Sequence, residues 1–269
     1  MMVGMQTPLI LISVLVGIYG LLIGSFLNAW IWRMAHGKKV SQGRSKCTHC
    51  HRQLAWYELI PVLSFMALRG KCRTCHKRIS WQYPLVELAT AGAWIGLFVS
   101  VNPTDLRSIA TFGVWVIVTT LMIAAFVYDW LHLELPDEFM FPAIGVALVW
   151  LLVRWFGYHE SSLAISQLIG AALFGGFYTL MWYGSGEKWI GDGDIRLAVL
   201  MGLMLTPSQL VVGIFATYFI GAFVGILLIA LKLKTRKDVI AFGPFLIIGM
   251  YVGYFWGDRL LDLYLRLLG

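Results

Sequence analysis

Apolar residues occur along most of this chain in runs long enough to cross a lipid bilayer, and polar residues concentrate between those runs. A membrane-spanning helix needs about 20 mainly apolar residues. The pattern predicts eight such helices, of which the sixth is the shortest, at about residues 9–32, 83–101, 109–128, 139–156, 163–183, 195–206, 208–231 and 240–256. We therefore expect an all-α, polytopic membrane bundle of about eight transmembrane helices.

The longest polar interruption separates the first two predicted helices and suggests three parts. We expect a first transmembrane helix in residues 1–32, a small soluble insert in residues 33–82, and a bundle of seven helices in residues 83–269. The first helix has no basic stretch before it, and its apolar run is too long for a cleaved secretion signal. We expect it to be retained in the bilayer.

Composition supports the same class of protein. Hydrophobic residues make up 59% of the chain and charged residues 13%, against roughly half and a quarter in soluble domains. Together with a mean hydropathy of +0.77, these values exclude a water-soluble globule, a disordered chain and a fibrous repeat.

The distribution of positive charge predicts the orientation in the membrane. Residues 33–80 hold 11 of the 21 basic residues and a single acid, Glu58. Because Lys and Arg are retained on the cytoplasmic side, we expect the insert to be cytoplasmic and, by alternation, both termini to be periplasmic. The same alternation puts a second basic cluster in the cytoplasm, formed by Lys232, Lys234, Arg236 and Lys237. The basic residues lie on no recognisable nucleic-acid-binding module, so we expect no such partner.

All four cysteines lie in the insert, as two C-x2-C pairs separated by 21 residues: Cys47, Cys50, Cys72 and Cys75. This spacing is typical of a closed tetrahedral zinc site with a structural role. Metal binding would also supply folding energy that so short a loop cannot obtain from an apolar core. The alternative is four buried or incidental cysteines, and three nearby histidines could replace a ligand: His49, His51 and His76.

Two carboxylates are predicted at helix ends on the cytoplasmic side. Asp129 follows the third apolar run, and Asp194 ends the sequence Gly-Asp-Gly-Asp of residues 191–194, where the sixth run begins. Ionisable groups at this depth are functional candidates. Two carboxylates in one low-dielectric site suit aspartyl proteolysis, in which one deprotonates a water and the other, protonated, donates to the scissile carbonyl. The alternative, that they cap helices or pair with Arg196 and Lys188, stays open.

Other polar and aromatic residues have simpler interpretations. We expect Glu87, early in the second helix, to bond a neighbouring helix, with a role in the functional site as the alternative. Asp137, after Pro136, is expected to cap the fourth helix. Most tryptophans and tyrosines suit the belts at the two membrane interfaces.

Taken in order, these segments resemble the bacterial type IV prepilin peptidases, also called prepilin leader peptidase/N-methyltransferases. The similar segments are residues 24–28 (Gly-Ser-Phe-Leu-Asn), both cysteine pairs with residues 68–73 and 79–87, Asp129 with residues 135–137 (Leu-Pro-Asp), residues 191–194, and residues 242–245 (Phe-Gly-Pro-Phe). The likeness covers nearly the whole chain.

The resemblance implies an enzyme of the bacterial inner membrane with Asp129 and Asp194 as its catalytic pair. It implies cleavage of the basic leader of type IV pilin or pseudopilin precursors after a glycine on the cytoplasmic side. It also implies methylation of the new N-terminus, usually Phe, by S-adenosylmethionine, with Gly70 and Lys71 in the methyl-transfer loop. A basic leader would have to be received by the acids Glu58, Glu134, Asp137 and Glu138.

Two other classes of protein remain possible from the sequence. A carboxylate-relay transporter would use Glu87, Asp129 and Asp194 near the middle of the bilayer, with broken helices there. A non-enzymatic membrane scaffold would recruit a partner through its zinc ribbon and would not need the aspartates.

Overall fold

The structure is a computed structural model that describes residues 3–41, 43–235 and 238–268. The described residues form helices and no strands, which confirms the all-α prediction. The α-helices are α1 (Val3–Ala35), α2 (Leu63–Ala67), α3 (Gln82–Val101), α4 (Leu106–His132), α5 (Asp137–Leu152), α6 (Ser161–Ser185), α7 (Asp192–Met204), α8 (Pro207–Ala230) and α9 (Gly243–Leu268). Of the second predicted basic cluster, Arg236 and Lys237 lie outside the described residues.

Six of the described helices are long and apolar enough to cross a membrane. They are Leu9–Ala35, Gln82–Val101, Leu106–His132, Asp137–Gly157, Ser161–Ser185 and Pro207–Ala230. The fourth includes a short π-helical segment, Val153–Gly157, that continues α5. The chain is therefore a multi-pass membrane protein.

The sixth and eighth predicted helices are present as α7 and α9 but are not among these six. α7 has 13 residues and is about 20 Å long, which is shorter than the roughly 30 Å hydrocarbon core of a bilayer. It packs against α5, α6 and α9, and Leu197, Leu200 and Met201 are completely buried. The apolar character of α7 thus reflects burial inside the protein, which an apolar run alone does not distinguish from contact with lipid.

The first of two compact units comprises Met1–Ala124. Its α1 and α3 pack so closely that a Cβ at Gly20 would lie 2.7 Å from the Cα of Ala91, and one at Gly24 would lie 2.6 Å from the Cα of Glu87. Small residues allow this close approach of two helices.

The second compact unit comprises Ala125–Gly269 and contains the end of α4 together with α5 to α9. α8 and α9 form its most extensive pair, and a Cβ at Gly213 of α8 would lie 2.9 Å from the carbonyl oxygen of Gly249 of α9. A Cβ at Gly175 of α6 would lie 2.5 Å from the Cγ2 of Val199 of α7, so these two helices also approach closely.

Candidate functional site

Asp129 lies in the last turn of α4 and is 5% exposed. The N–H of Leu133, a residue in the left-handed conformation, donates to the Asp129 carbonyl oxygen at 2.8 Å and ends the helix. The side chain accepts a hydrogen bond from the backbone N–H of Gly243, the first residue of α9. Asp129 is thus held between the end of one helix and the beginning of another.

Asp194 lies in the first turn of α7 and is 7% exposed. Its Oδ2 accepts from the backbone N–H of Gly191 at 3.2 Å, so it also caps the helix. The pKa of Asp194 is raised to about 7, chiefly by burial and also by the negative charges of Asp129 and Asp192, against the opposing effect of the Gly191 hydrogen bond. A substantial fraction of this carboxyl is therefore protonated near neutral pH.

Leu135 packs against two backbone positions beside the aspartates, Gly193 next to Asp194 and Gly243 next to the Asp129 side chain. A Cβ at Gly193 would lie 2.6 Å from the Leu135 Cβ, and one at Gly243 would lie 2.9 Å from the Leu135 Cδ1. A Cβ at Gly243 would also lie 2.5 Å from the Asp129 Oδ2. Only glycine fits at these two positions. The structure thus brings Asp129 and Asp194 into one buried site in the second unit, close enough for the charge of one to affect the other.

The basic residues that the sequence offered as partners do not bond either aspartate. Arg196 forms ion pairs with Asp137 and with Asp192, the latter at 2.5 Å, beside the site. Asp137 is the first residue of α5, after Pro136 at the N-cap, and its described partner is Arg196. The sequence left open that the two aspartates only cap helices or pair with basic residues. Of this alternative, the capping of α7 by Asp194 is present, and it is compatible with catalysis.

Tyr178, Tyr218 and Phe242 form a cluster beside the aspartates that the sequence did not indicate. Tyr178 is completely buried, unlike a residue of an interfacial belt, and its hydroxyl lies 3.0 Å from that of Tyr218. Tyr178 also lies within electrostatic range of Asp194. Tyr178 and Tyr218 are 40 positions apart, so their contact leaves no local pattern in the sequence. Phe242 belongs to residues 242–245, one of the segments that carry the resemblance.

The four cysteines form a separate cluster in the first unit. Their Sγ atoms all lie within 4.8 Å of one another, with Cys47 to Cys75 at 3.9 Å and Cys50 to Cys72 at 4.0 Å. Tetrahedral zinc with Zn–S bonds of about 2.3 Å requires Sγ atoms about 3.8 Å apart. The cluster could therefore hold a metal, and the three nearby histidines are not part of it.

The two halves of this cluster have the same backbone design. In each half, the N–H of the first cysteine donates to the carbonyl oxygen of the residue five positions later. The carbonyl oxygen of that cysteine accepts from the N–H of the residue four positions later. Those fourth residues, His51 and His76, have φ of 56° and 55°. The backbone N–H groups of Cys75 and Thr74 lower the pKa of the Cys72 thiol to about 6, which favours the thiolate that binds metals.

Gly70 and Lys71 lead directly into the second cysteine pair. Gly70 has φ of +67°, and its N–H donates to the Phe65 carbonyl oxygen at 2.9 Å, after which Lys71 pairs with Arg78 in an isolated antiparallel bridge. The turn at Gly70 therefore fixes where the cysteine pair begins. A methyl-transfer role for these two residues stays a prediction.

Two further carboxylates of the first unit have structural partners. Glu58 accepts from Arg52 at 2.6 Å and from the N–H of Ala55 at 2.9 Å, and the Arg52 guanidinium lowers the pKa of Glu58. Glu87 accepts from the N–H of Val62 at 2.7 Å and thus ties α3 to the start of α2. This is the type of structural bond expected of Glu87, although it reaches a loop backbone.

The fold and the site together define a polytopic membrane protein with a buried pair of aspartates and a cysteine cluster. Residues 18–101 match the family model for the bacterial peptidase A24 N-terminal domain, and residues 115–226 match that for the type IV leader peptidase family. The chain belongs to the type IV leader peptidase family, and the prediction that it is an enzyme is confirmed.

Curated relatives named prepilin leader peptidase/N-methyltransferase are similar over nearly the whole chain. The protein of Aeromonas hydrophila is 30% identical over 275 residues, which cover 93% of each chain. That of Bacillus subtilis is 30% identical over 93% of this chain and 96% of its own, and that of Pseudomonas aeruginosa is 27% identical over 93% and 92%. No solved structure matches the chain.

Proposed function

We propose that the chain is a membrane aspartyl endopeptidase that removes the leader of type IV prepilin-like precursors and then methylates the new N-terminus. The observation that carries the peptidase is the burial of Asp129 and Asp194 in one site. The names of the curated relatives of this chain, together with its family, supply the substrate class. The cleaved bond is the one that follows the leader's terminal glycine.

The geometry supports different roles for the two aspartates. Asp194, with its pKa raised to about 7, carries the proton and donates it to the scissile carbonyl oxygen. Asp129 accepts a proton from the attacking water, whose oxygen bonds to the carbonyl carbon. The C–N bond then breaks as the amine of the mature protein takes the proton held by Asp129, and the hydroxyl derived from the carbonyl oxygen returns its proton to Asp194. The leader is released with a new carboxyl group, which ionises in water.

The exposed acids suit the basic leader only in part. Glu58 and Asp137 are already paired with Arg52 and Arg196. Glu134 and Glu138 are exposed and form no ion pair with the described residues, and they flank Leu135 beside the site. We assign the leader to these two.

The second activity belongs in this proposal to the first unit. S-adenosylmethionine is the methyl-donating substrate, and the loop with Gly70 and Lys71 takes part in the transfer. Cys47, Cys50, Cys72 and Cys75 bind a structural zinc ion that shapes this loop, because four thiol donors at tetrahedral spacing leave no open coordination position.

The proposed location is the bacterial inner membrane, with the cysteine loop and both aspartates on the cytoplasmic side and the termini in the periplasm. The basic residues of the cysteine-bearing insert favour this orientation. The transporter hypothesis required carboxylates near the middle of spans, whereas Asp129 lies in the last turn of α4. The scaffold hypothesis gives no reason for two buried carboxylates in one site.

The test is to incubate the detergent-purified protein with a prepilin and S-adenosylmethionine and to measure the products by intact mass. We expect loss of the leader and gain of one methyl group. Asp129→Asn and Asp194→Asn, which keep the shape of each side chain, should each abolish cleavage because they remove the acid–base groups. Full activity in either folded variant would refute the two-carboxylate mechanism, and Asp262→Asn, on an exposed part of α9, serves as the matched control.

A further inference from the structure

The Phe-Gly-Pro-Phe segment of residues 242–245 has no role in the proposed chemistry, yet it begins α9 directly beside Asp129. The N–H groups of Phe245 and Leu246 donate to the Phe242 carbonyl oxygen, so Phe242 is the residue that precedes the helix. The N–H of Gly243 is one of the first N–H groups of α9, which have no acceptor within the helix. The Asp129 carboxylate supplies that acceptor.

This bond restricts the Asp129 side chain as well as the helix. A backbone N–H can donate only to an oxygen that presents a lone pair, and the Gly243 backbone lies against the Asp129 Oδ2. A shift of Gly243 would therefore change the surroundings of the Asp129 carboxylate.

Three aromatic rings pack together next to Gly243 and hold the preceding residue, Phe242, in place. The Phe242 ring is nearly parallel to Tyr178, at 6.4 Å between centroids and 27° between planes, and it is tilted by 40° against Tyr218 at 5.9 Å. The hydroxyls of the two tyrosines are 3.0 Å apart, which ties α6 to α8 around Phe242. We call Tyr178, Tyr218 and Phe242 the aromatic clamp.

The clamp also reaches the second aspartate. Tyr178 is completely buried within electrostatic range of Asp194, while Phe242 is covalently joined to the residue that bonds Asp129. We propose that Phe242, held by Tyr178 and Tyr218, is a positioning residue for peptide cleavage that orients Asp129 through the Gly243 N–H.

This inference rests on the proposed peptidase function, and its test uses kinetics of leader cleavage. Phe242→Leu removes the ring face while retaining an apolar side chain. We expect kcat to fall by about 10-fold to 100-fold, because a shift of an acid–base group by about 1 Å can have that effect, while KM stays unchanged. Phe242→Tyr keeps the ring and should restore the wild-type kcat.

Tyr218→Phe provides a second variant, since it removes one hydroxyl from a residue that is 40% exposed and leaves every ring in place. We expect kcat to fall by up to about tenfold, the value of one hydrogen bond, again without a change in KM. The matched control for Phe242→Leu is Phe219→Leu in α8, where the phenylalanine is 73% exposed.

The outcomes separate this inference from the proposed function. If Asp129→Asn and Asp194→Asn are inactive and Phe242→Leu has the wild-type kcat, the inference alone is wrong. A higher KM with unchanged kcat would also overturn it, because Phe242 would then bind the substrate. If the aspartate variants remain active, the proposed function has failed, whatever the clamp variants do.

Discussion

Asp129 and Asp194 each have a side-chain oxygen bonded to a backbone N–H of glycine, and both side chains are buried. Asp194 is desolvated in the first turn of α7 and lies near the negative charges of Asp129 and Asp192. Repulsion between two adjacent negative charges disfavours ionisation of both carboxylates, so one of them tends to keep a proton near neutral pH. The proposed division of roles between acid and base would follow from these surroundings.

The raised pKa of Asp194 predicts how cleavage depends on pH. If the protonated form is active, kcat/KM should be independent of this group below pH 7 and should fall by about tenfold per pH unit above it. Asp192→Asn removes a negative charge that raises the pKa of Asp194, so the decline should begin at lower pH. Rates of leader cleavage between pH 5 and pH 9, a range of about two units on each side, measure both effects.

Asp262→Asn removes a charge from the far half of α9 and serves as the control, with an unchanged profile expected. An alkaline decline that does not move in Asp192→Asn would contradict the assignment of this decline to Asp194.

The sequence identified the two aspartates because acids are rare in the chain and these two stand at the ends of apolar runs. It could not identify Tyr178, Tyr218 and Phe242, since aromatic residues are abundant in a membrane protein and their contacts join three different helices. Likewise, spacing showed that Glu87 lies early in a helix but not that it accepts from the N–H of Val62.

At the scale of elements, the apolar runs located every long helix, but they also predicted a membrane-spanning helix at the short helix α7. A 13-residue helix surrounded by α5, α6 and α9 needs apolar residues on all sides, just as a lipid-exposed helix does. Hydropathy measures transfer from water and does not report whether protein or lipid is the destination. The spacing of cysteine pairs, in contrast, predicted the cluster because a tetrahedral ion imposes fixed distances on its ligands.

The cysteine cluster predicts a metal content that single substitutions should change. Detergent-purified protein should contain about one zinc ion per chain, and Cys72→Ser or Cys75→Ser should lower this value because the hydroxyl is a poor replacement for a thiolate. His49→Ala and His76→Ala alter residues next to the cysteines in sequence and should retain the metal, since these histidines lie outside the cluster. Elemental analysis by mass spectrometry gives the content. Zinc that persists in the cysteine variants would refute the ligand assignment.

At the scale of the whole molecule, the two candidate chemistries lie in different compact units. The cysteine cluster, Gly70 and Lys71 belong to Met1–Ala124, and both aspartates with the aromatic clamp belong to Ala125–Gly269. Each unit buries its own apolar residues, for example Leu27 and Leu97 in the first and Leu197 and Leu246 in the second. The groups proposed for the two activities therefore have their described hydrogen-bond partners within their own units.

This separation predicts that the two activities can be lost independently. Asp194→Asn should abolish leader cleavage but still transfer a methyl group to a synthetic mature peptide that begins with phenylalanine. Cys72→Ser should have the opposite effect, because a loosened loop displaces Gly70 and Lys71 while Asp129 and Asp194 keep their partners in the second unit. Intact mass measurements on prepilin and on the mature peptide, with S-adenosylmethionine present, report both activities for each variant. Joint loss of cleavage and methylation in folded preparations of both variants would show that the two units act as one catalytic assembly, and independent loss would assign methyl transfer to the first unit and proteolysis to the second.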